Sequence, residues 1–124
     1  MKEKKIIVTG GAGYIGSHTV VELHNAGYTP IIIDNLCNSS IKNIEGIAEI
    51  LGKEIKWYNA DCTNYKQIEK IFLKENNIEG IIHFAAFKSV EESLKKSEKY
   101  HKNNVGSLQV ILKNMKKYNI RNII

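Results

Sequence analysis

A cluster of glycines near the start of the chain is the part of the sequence best suited to chemistry. Residues 10–16 read GGAGYIG, directly after the apolar run 6–8 and directly before a helical pattern over 14–25. Glycine adopts the unusual backbone angles of a tight turn, and without a Cβ it lets a phosphate approach the main chain. A helix that begins at such a turn offers free N–H groups and the positive end of its dipole to an anion. The stretch is therefore predicted to bind a phosphate group.

The glycine spacing fits a dinucleotide-binding loop in two ways. Gly10, Gly13 and Gly16 give GxxGxxG, whereas Gly11, Gly13 and Gly16 give GxGxxG. An ordinary glycine turn between a strand and a helix is the alternative. Asp34 supports the dinucleotide interpretation, because it ends the next apolar run. An acidic residue at this place in a dinucleotide-binding fold accepts hydrogen bonds from the adenosine ribose hydroxyls. Its charge repels a 2′-phosphate and no arginine follows it closely, so NAD is predicted rather than NADP.

The elements that position these residues follow from the hydrophobic periodicity. Short β-branched runs alternate with helical patterns, and the runs are continuously apolar, as in strands that are buried on both faces. Gly27 and Gly52 stand where helix C-termini are expected. The fold class is therefore predicted to be α/β, a Rossmann-type doubly wound parallel sheet of about five strands in the order 3-2-1-4-5. The predicted strands are 5–9, 30–34, 55–59, 80–84 and 121–124, and the predicted helices are 14–25, 41–51, 65–74 and 99–118. The last strand is expected to be only beginning, with the sheet incomplete at the C-terminus.

Length and composition are those of one globular domain. The chain has 124 residues, of which 43% are hydrophobic and 25% charged, so residues 1–124 are expected to form one NAD-binding segment. Cys37 and Cys62 are too few for a disulfide framework and lack metal-binding spacing, which indicates a reducing, cytoplasmic setting and no metal site. The lysines before residue 6 imitate a signal peptide, but glycine and threonine end the apolar run too early. No stretch has the length of a membrane span.

The net charge of +5 raises the alternative of nucleic-acid binding. The lysines are scattered through helical patterns such as 93–102 and 112–119, interleaved with glutamate and apolar residues. No run combines arginines with aromatic residues suited to stacking bases. A solvated helix face is the favoured interpretation, and no nucleic-acid partner is expected.

Three motifs resemble a known family. They are VTGGAGYIGSHTVVEL at 8–23, DNLCNSS at 34–40 and IIHFAAFKSVEES at 81–93. TGGxGYIG is similar to the extended short-chain dehydrogenase/reductase family, and DNLCNS followed by HFAxxKxVxES resembles its UDP-glucose 4-epimerase branch. The resemblance covers the whole chain, as the N-terminal third of a family member. It implies a cytoplasmic, homodimeric isomerase of galactose metabolism, which interconverts UDP-glucose and UDP-galactose through a 4-keto intermediate with transient hydride transfer to bound NAD.

The resemblance also implies roles for individual residues. Tyr14 and Ile15 lie along the pyrophosphate, Asp61 accepts from the adenine amino group, and Lys88 points at the nicotinamide ribose. The segment that begins at Asp34 wraps the adenosine end. The implied cofactor-binding residues are Gly10, Gly13, Tyr14, Ile15, Gly16, Asp34, Asn35, Leu36, Cys37, Asn38, Ser39, Asp61, Cys62, Phe84, Ala85, Ala86, Phe87, Lys88 and Asn103.

Some of these residues have a structural alternative. Asp61 could cap a turn, Lys88 could be a surface lysine, and the end of the fourth strand could serve the core alone. The family reads NVxGT in the long helix, whereas here the glycine comes one place early, at Gly106. Asn103 is chosen over Asn104 on the assumption of an ungapped register.

The catalytic tyrosine and lysine of the family are missing from this chain. The family uses Tyr-x-x-x-Lys after a serine-rich strand end, and no tyrosine here has a lysine four residues later. No catalytic residue is assigned, the UDP-sugar pocket is expected to lie mostly outside the chain, and the chain alone is expected to be inactive. Two alternatives stay open: a sister dehydratase or decarboxylase acting on nucleotide sugars, and a non-catalytic NAD-binding module.

Overall fold

A parallel sheet of four strands forms the centre of the molecule. The computed structural model describes residues 3–85 and 95–124. The strands are β1 (Lys5–Thr9), β2 (Thr29–Ile33), β3 (Trp57–Tyr58) and β4 (Ile78–His83), in the order β3-β2-β1-β4. Every neighbouring pair is parallel. The predicted α/β fold class and the order of the first four strands are confirmed.

Helices alternate with the strands along the chain. They are α1 (Tyr14–Asn25), α2 (Ile41–Leu51), α3 (Tyr65–Lys74) and α4 (Ser97–Lys117). The first three have the predicted bounds, because local signals fix their ends. The Ser40 side chain caps α2 by accepting from the N–H of Lys42, and Gly52 ends that helix in the left-handed conformation with φ of 68°. None of the helices in the described residues is long and apolar enough to cross a membrane.

The sheet differs from the prediction at its two edges. The predicted third strand, 55–59, is reduced to the two residues of β3. In place of a fifth strand over 121–124 the structure has an isolated parallel bridge between Ile81 and Ile123. The N–H of Ile81 donates to the carbonyl of Asn122 at 2.9 Å, and the N–H of His83 donates to that of Ile124 at 2.8 Å. The C-terminal residues therefore occupy the fifth position beside β4 without forming a full strand.

Both faces of the sheet are covered, as a doubly wound fold requires. Successive residues of β1 and β2 point to opposite faces, so Ile7 and Ile31 enter one cluster while Val8 and Ile32 enter the other. The first cluster packs against α3 and α4, and the second packs against α1 and α2. Helical side chains in these clusters are Ile68, Ile71, Phe72, Ile111 and Met115 on the first face, and Val20, Ile44 and Ile47 on the second.

A buried carboxylate ties the elements together at the amino ends of the strands. The Glu75 side chain, at the end of α3, is 1% exposed and lies 3.5 Å from Lys5 Nζ and 3.1 Å from Lys56 Nζ. The Tyr58 hydroxyl also donates to it. Burial alone raises the pKa of Glu75, but the hydrogen bonds from Tyr58 and Lys56 and the two lysine charges outweigh it, so that the pKa is lowered. The carboxylate is therefore ionised at neutral pH.

This lowered pKa predicts acid sensitivity. A carboxyl with a lower pKa in the folded than in the unfolded state stabilises the fold above its unfolded value, here 4.5, and this stabilisation is lost as the pH falls through the folded value. The free energy of unfolding is measured with urea between pH 7 and pH 3. Below about pH 4.5 it is expected to fall less steeply with decreasing pH in Glu75→Gln than in the parent protein. Equal slopes in the two proteins would contradict the prediction.

Candidate dinucleotide-binding site

The predicted contact residues are gathered at one edge of the sheet. The glycine loop follows β1, Asp34 follows β2, Asp61 comes shortly after β3, and Phe84 and Ala85 follow β4. All four strands are parallel, so these segments meet at the carboxyl edge. The strand order reverses between β1 and β4, and a crevice opens at such a reversal in doubly wound folds. The topology thus forms one concave site from residues that lie far apart in sequence.

The glycine loop is bare because its neighbours leave no space for side chains. A Cβ on Gly10, whose φ is 70°, would lie 2.9 Å from the backbone nitrogen of Ala85. A Cβ on Gly16 would overlap the carbonyl oxygen of Gly10 and lie 2.9 Å from Cα of Gly11. Gly11 in turn packs on Ile32, whose Cγ1 would be 2.8 Å from a Cβ. The packing therefore requires Gly10, Gly11 and Gly16 to lack side chains.

Gly13 is different, because it faces outward. A Cβ there would have Gly10 O at 3.3 Å as its one near neighbour. Gly13 is the N-cap of α1, with no side chain to cap the helix, and no acidic residue lies in the first turn. The N–H groups of that turn have no intrahelical acceptor. Tyr14 and Ile15 stand beside them, 80% and 53% exposed. The arrangement fits a pyrophosphate, for which the uncapped helix end supplies donors and positive potential.

Asp34 braces the glycine loop. Its side chain is 9% exposed. Oδ2 accepts from the N–H of Ala12 at 3.0 Å, and Oδ1 accepts from the N–H of Leu36 at 2.8 Å and from Ser39 Oγ at 3.0 Å. A carboxylate offers about four acceptor positions, so one is left for a ribose hydroxyl. Asn43 Nδ2 holds the same residue from its carbonyl side, donating to Ala12 O at 2.6 Å.

The segment after Asp34 forms an exposed turn next to the loop. Leu36 has a φ of 60°, in the left-handed region that is costly for a branched residue. The Asp34 carboxylate compensates by accepting the N–H of Leu36. Cys37 donates its N–H to Asn35 Oδ1 at 3.0 Å, and both residues are exposed, as is Asn38. The segment therefore presents side chains and backbone at the place predicted for the adenosine.

Asp61 and Cys62 follow β3 and are engaged within the protein. Asp61 Oδ1 accepts from the N–H of Thr63 at 2.9 Å and from its hydroxyl at 2.7 Å, so the turn-capping alternative is observed. Cys62 is 7% exposed and belongs to the core on the α3 face. Burial, followed by the charges of Asp61 and Asp34, raises the pKa of its thiol to about 12. Contact of these two residues with an adenine stays a prediction.

The end of β4 and the start of α4 complete the site. Phe84 donates its N–H to Thr9 O at 2.9 Å, and Ala85 donates to the Thr9 hydroxyl at 3.2 Å. The predicted contacts Ala86, Phe87 and Lys88 lie outside the described residues. Asn103 Nδ2 donates to Asn104 Oδ1 at 3.3 Å, and both side chains are partly exposed. The choice between the two asparagines stays a prediction.

Sequence reasoning missed the residues that support the site from behind. Asn43 was not singled out, and no role was given to His83. Thr9 and His83 are partners in the register of β1 and β4, which is the signal that could have paired these two polar strand-end residues. Within residues 3–85 and 95–124, no three His, Cys, Asp or Glu side chains are grouped as metal ligands.

The comparisons with known proteins agree with this geometry. The chain is 50% identical over 119 residues to the UDP-glucose 4-epimerase of Pasteurella multocida, covering 96% of this chain and 35% of that protein. The UDP-glucose 4-epimerase of Bifidobacterium longum, solved with NAD+ and UDP, superposes with a TM-score of 0.92 at 45% identity over 97% of this chain and 36% of that one. The enzyme of Stenotrophomonas maltophila, solved with NAD and formylated UDP-arabinopyranose, gives 0.92 at 36% identity, over 98% of this chain and 36% of that one.

These relatives confirm the predicted resemblance to UDP-glucose 4-epimerases. The chain spans 35% of the length of the first of them. A family model covers nearly all of the chain, from the middle of β1 to the last residue. Because residues 7–124 match the model described as GDP-mannose 4,6 dehydratase, the chain belongs to that family.

Proposed function

We propose that the chain is the NAD-binding part of a UDP-glucose 4-epimerase, which interconverts UDP-glucose and UDP-galactose through a 4-keto intermediate. The observation that carries the proposal is the 50% identity to an epimerase over 96% of the chain. The bare glycine loop, against which a dinucleotide can lie, supports the cofactor. Isomerase activity, galactose metabolism and a UDP-sugar substrate belong to the complete protein in this proposal.

Each part of the site would hold one part of NAD. The uncapped start of α1, at Gly13, faces the pyrophosphate, and the bare backbone at Gly10 lets it approach. The free acceptor position of Asp34 takes a ribose hydroxyl, and the exposed turn that follows borders the adenosine. Its negative charge opposes a 2′-phosphate, which favours NAD over NADP.

Bound NAD would supply the redox chemistry, a reversible hydride exchange with C4 of the sugar. The residues of this chain would hold and orient the cofactor. The Tyr-x-x-x-Lys pair, which in the family moves the proton of the 4-hydroxyl, is not among them. The positioning of NAD is therefore the task we assign to this chain.

The complete gene product is the material for the test. The purified protein is expected to contain NAD and to convert UDP-galactose to UDP-glucose, as followed by a coupled dehydrogenase assay. The family match favours one alternative, a nucleotide-sugar dehydratase, whose product would be a 4-keto-6-deoxy sugar. Formation of that product would replace our proposal, and NAD binding without turnover of any nucleotide sugar would favour the non-catalytic module.

The chain of 124 residues is expected to be inactive by itself. General base catalysis contributes about 10²–10⁴-fold to such reactions, and the pair that provides it in the family is missing here. The measurement is the same coupled assay, on protein made in a host from which its own epimerase has been deleted. Turnover above the protein-free blank would mean that residues of this chain carry the chemistry.

The proposal includes a cytoplasmic homodimer. Both cysteines are free thiols, which suits a reducing compartment. Three apolar side chains of α4, Val105, Leu108 and Leu112, are 39–45% exposed at a spacing that places them on one side of the helix. A second copy of the protein is the occupant we propose for this surface.

Sedimentation of the complete protein is expected to give a dimer, and Leu108→Glu is expected to give a monomer.

A further inference from the structure

A partly buried histidine joins the three elements that carry the predicted cofactor contacts. His83 is the last residue of β4, and its Nδ1 lies 2.6 Å from the Thr9 hydroxyl at the end of β1. Its Nε2 lies 3.4 Å from the hydroxyl of Ser107 on α4. The Ser107 side chain is 1% exposed, and the Thr9 side chain is fully buried. The imidazole thus links the strand before the glycine loop, the strand that leads to Ala85, and the helix that carries Asn103.

The hydroxyl partners determine where the imidazole proton lies. Ser107 donates its one hydroxyl hydrogen to the carbonyl of Asn104 at 3.2 Å, so it can only accept from His83 Nε2. Thr9 accepts the N–H of Ala85 at 3.2 Å and keeps its hydrogen for His83 Nδ1. Each group then has a partner of the opposite kind when the ring is neutral and protonated on Nε2. Burial lowers the pKa of His83, which agrees with a neutral ring.

We propose that His83 is a positioning residue: its Nε2–H tautomer orients the Thr9 hydroxyl and thereby holds the glycine loop against the end of β4. The contact it maintains is a close one, because a Cβ on Gly10 would lie 2.9 Å from the nitrogen of Ala85. If the Thr9 hydroxyl turns away, Ala85 loses its acceptor, and the bond from the N–H of Phe84 to Thr9 O remains, so that the contact between Gly10 and Ala85 loosens. The surface on which the middle of the dinucleotide would lie then loses its shape.

Substitutions at the two ends of the short hydrogen bond test the proposal in the complete protein. Thr9→Val and His83→Leu remove the bond with little change of volume, whereas His83→Asn keeps an acceptor near the position of Nδ1. Amide hydrogen exchange at Gly10, Gly13 and Ala85 is expected to accelerate about tenfold or more in the first two variants and to stay near the parent rate in His83→Asn. The double variant Thr9→Val/His83→Leu is expected to show the same exchange rates as Thr9→Val alone, because the two substitutions break the same hydrogen bond.

Two controls separate positioning from general destabilisation. Thr19→Val makes the same change on α1, where the hydroxyl only donates to the carbonyl of Ile15, and is expected to leave exchange in the loop unchanged. Exchange of core amides such as that of Ile47 on α2 is expected to be unaffected in every variant. Equal acceleration of loop and core, or failure of His83→Asn to restore protection, would overturn the proposal.

The ring itself gives a readout that needs no variant. Nitrogen NMR of the parent protein is expected to show His83 protonated on Nε2 and unprotonated on Nδ1, and the opposite tautomer would overturn the assignment. The link to the cofactor rests on the proposed function: the dissociation constant for NAD is expected to rise about tenfold in Thr9→Val. If the parent protein binds no NAD, the proposed function fails, while the exchange and NMR results still decide the role of His83.

Discussion

Gly16→Ala is expected to abolish NAD retention and to destabilise the fold. The added methyl group would overlap the carbonyl oxygen of Gly10 and press on Cα of Gly11, and both atoms belong to the backbone. Neither can rotate away, so α1 has to separate from the loop. Overpacking of this kind costs about 1–3 kcal/mol, and a backbone overlap belongs at the upper end or beyond it. We therefore expect the free energy of unfolding to fall by at least about 3 kcal/mol.

Gly13→Ala is the matched control for this substitution. Gly13 has a φ of −75°, which alanine adopts without strain, and a Cβ there meets only the Gly10 carbonyl at 3.3 Å. We expect its stability to change by less than about 1 kcal/mol, because the position is half-buried and only one backbone oxygen has to shift slightly, while NAD retention falls because the methyl group faces the pyrophosphate. Urea unfolding and the NAD content of the purified complete protein measure the two effects. Equal loss of stability in both variants would refute the packing argument, and unchanged NAD content in Gly13→Ala would remove the loop as the phosphate site.

Asp34→Asn is expected to have the second largest effect, through the loop and the cofactor together. The carboxylate accepts three hydrogen bonds, from Ala12, Leu36 and Ser39. An amide of the same shape has one oxygen, so its NH₂ group must face a donor. Hydrogen bonds to a charged group contribute about 1.5–3 kcal/mol each, and a buried N–H without an acceptor adds its own cost. We expect a loss of roughly 3 kcal/mol of stability and a fall of about 100-fold in NAD affinity.

The ratio of NAD to NADP affinity adds a second readout for Asp34. The amide no longer repels a 2′-phosphate, so the preference for NAD is expected to narrow. Titration of the complete protein with each nucleotide measures both affinities. Glu49→Gln neutralises an exposed carboxylate on α2 and controls for the change in net charge. It is expected to alter neither the affinity for NAD nor the affinity for NADP. An unchanged affinity ratio in Asp34→Asn would remove Asp34 from the ribose site.

The bounds of α1, α2 and α3 could be predicted residue by residue, because their ends depend on neighbours in sequence. Asn64 begins α3 by accepting from the N–H of Gln67, and Gly52 ends α2 with the backbone angle that glycine favours. The edges of the sheet could not be predicted in the same way. The predicted strand over 55–59 is reduced to two residues, because its pairing with β2 is confined to Ile32 and Ile33, and such pairing joins segments that are far apart in sequence.

The same distinction between local and long-range contacts applies to the candidate site. Its location could be predicted from the sequence alone, because the glycine loop and the acidic residue at the end of the second strand form a local pattern typical of dinucleotide binding. The resemblance to UDP-glucose 4-epimerases adds further contact residues to this pattern. The tertiary structure decided what each group does inside the protein: Asp34 braces Ala12, Gly16 fits against Gly10, and His83 meets Thr9. These contacts join different strands and helices, and their partners are set by strand order and register, which spacing along the chain does not encode.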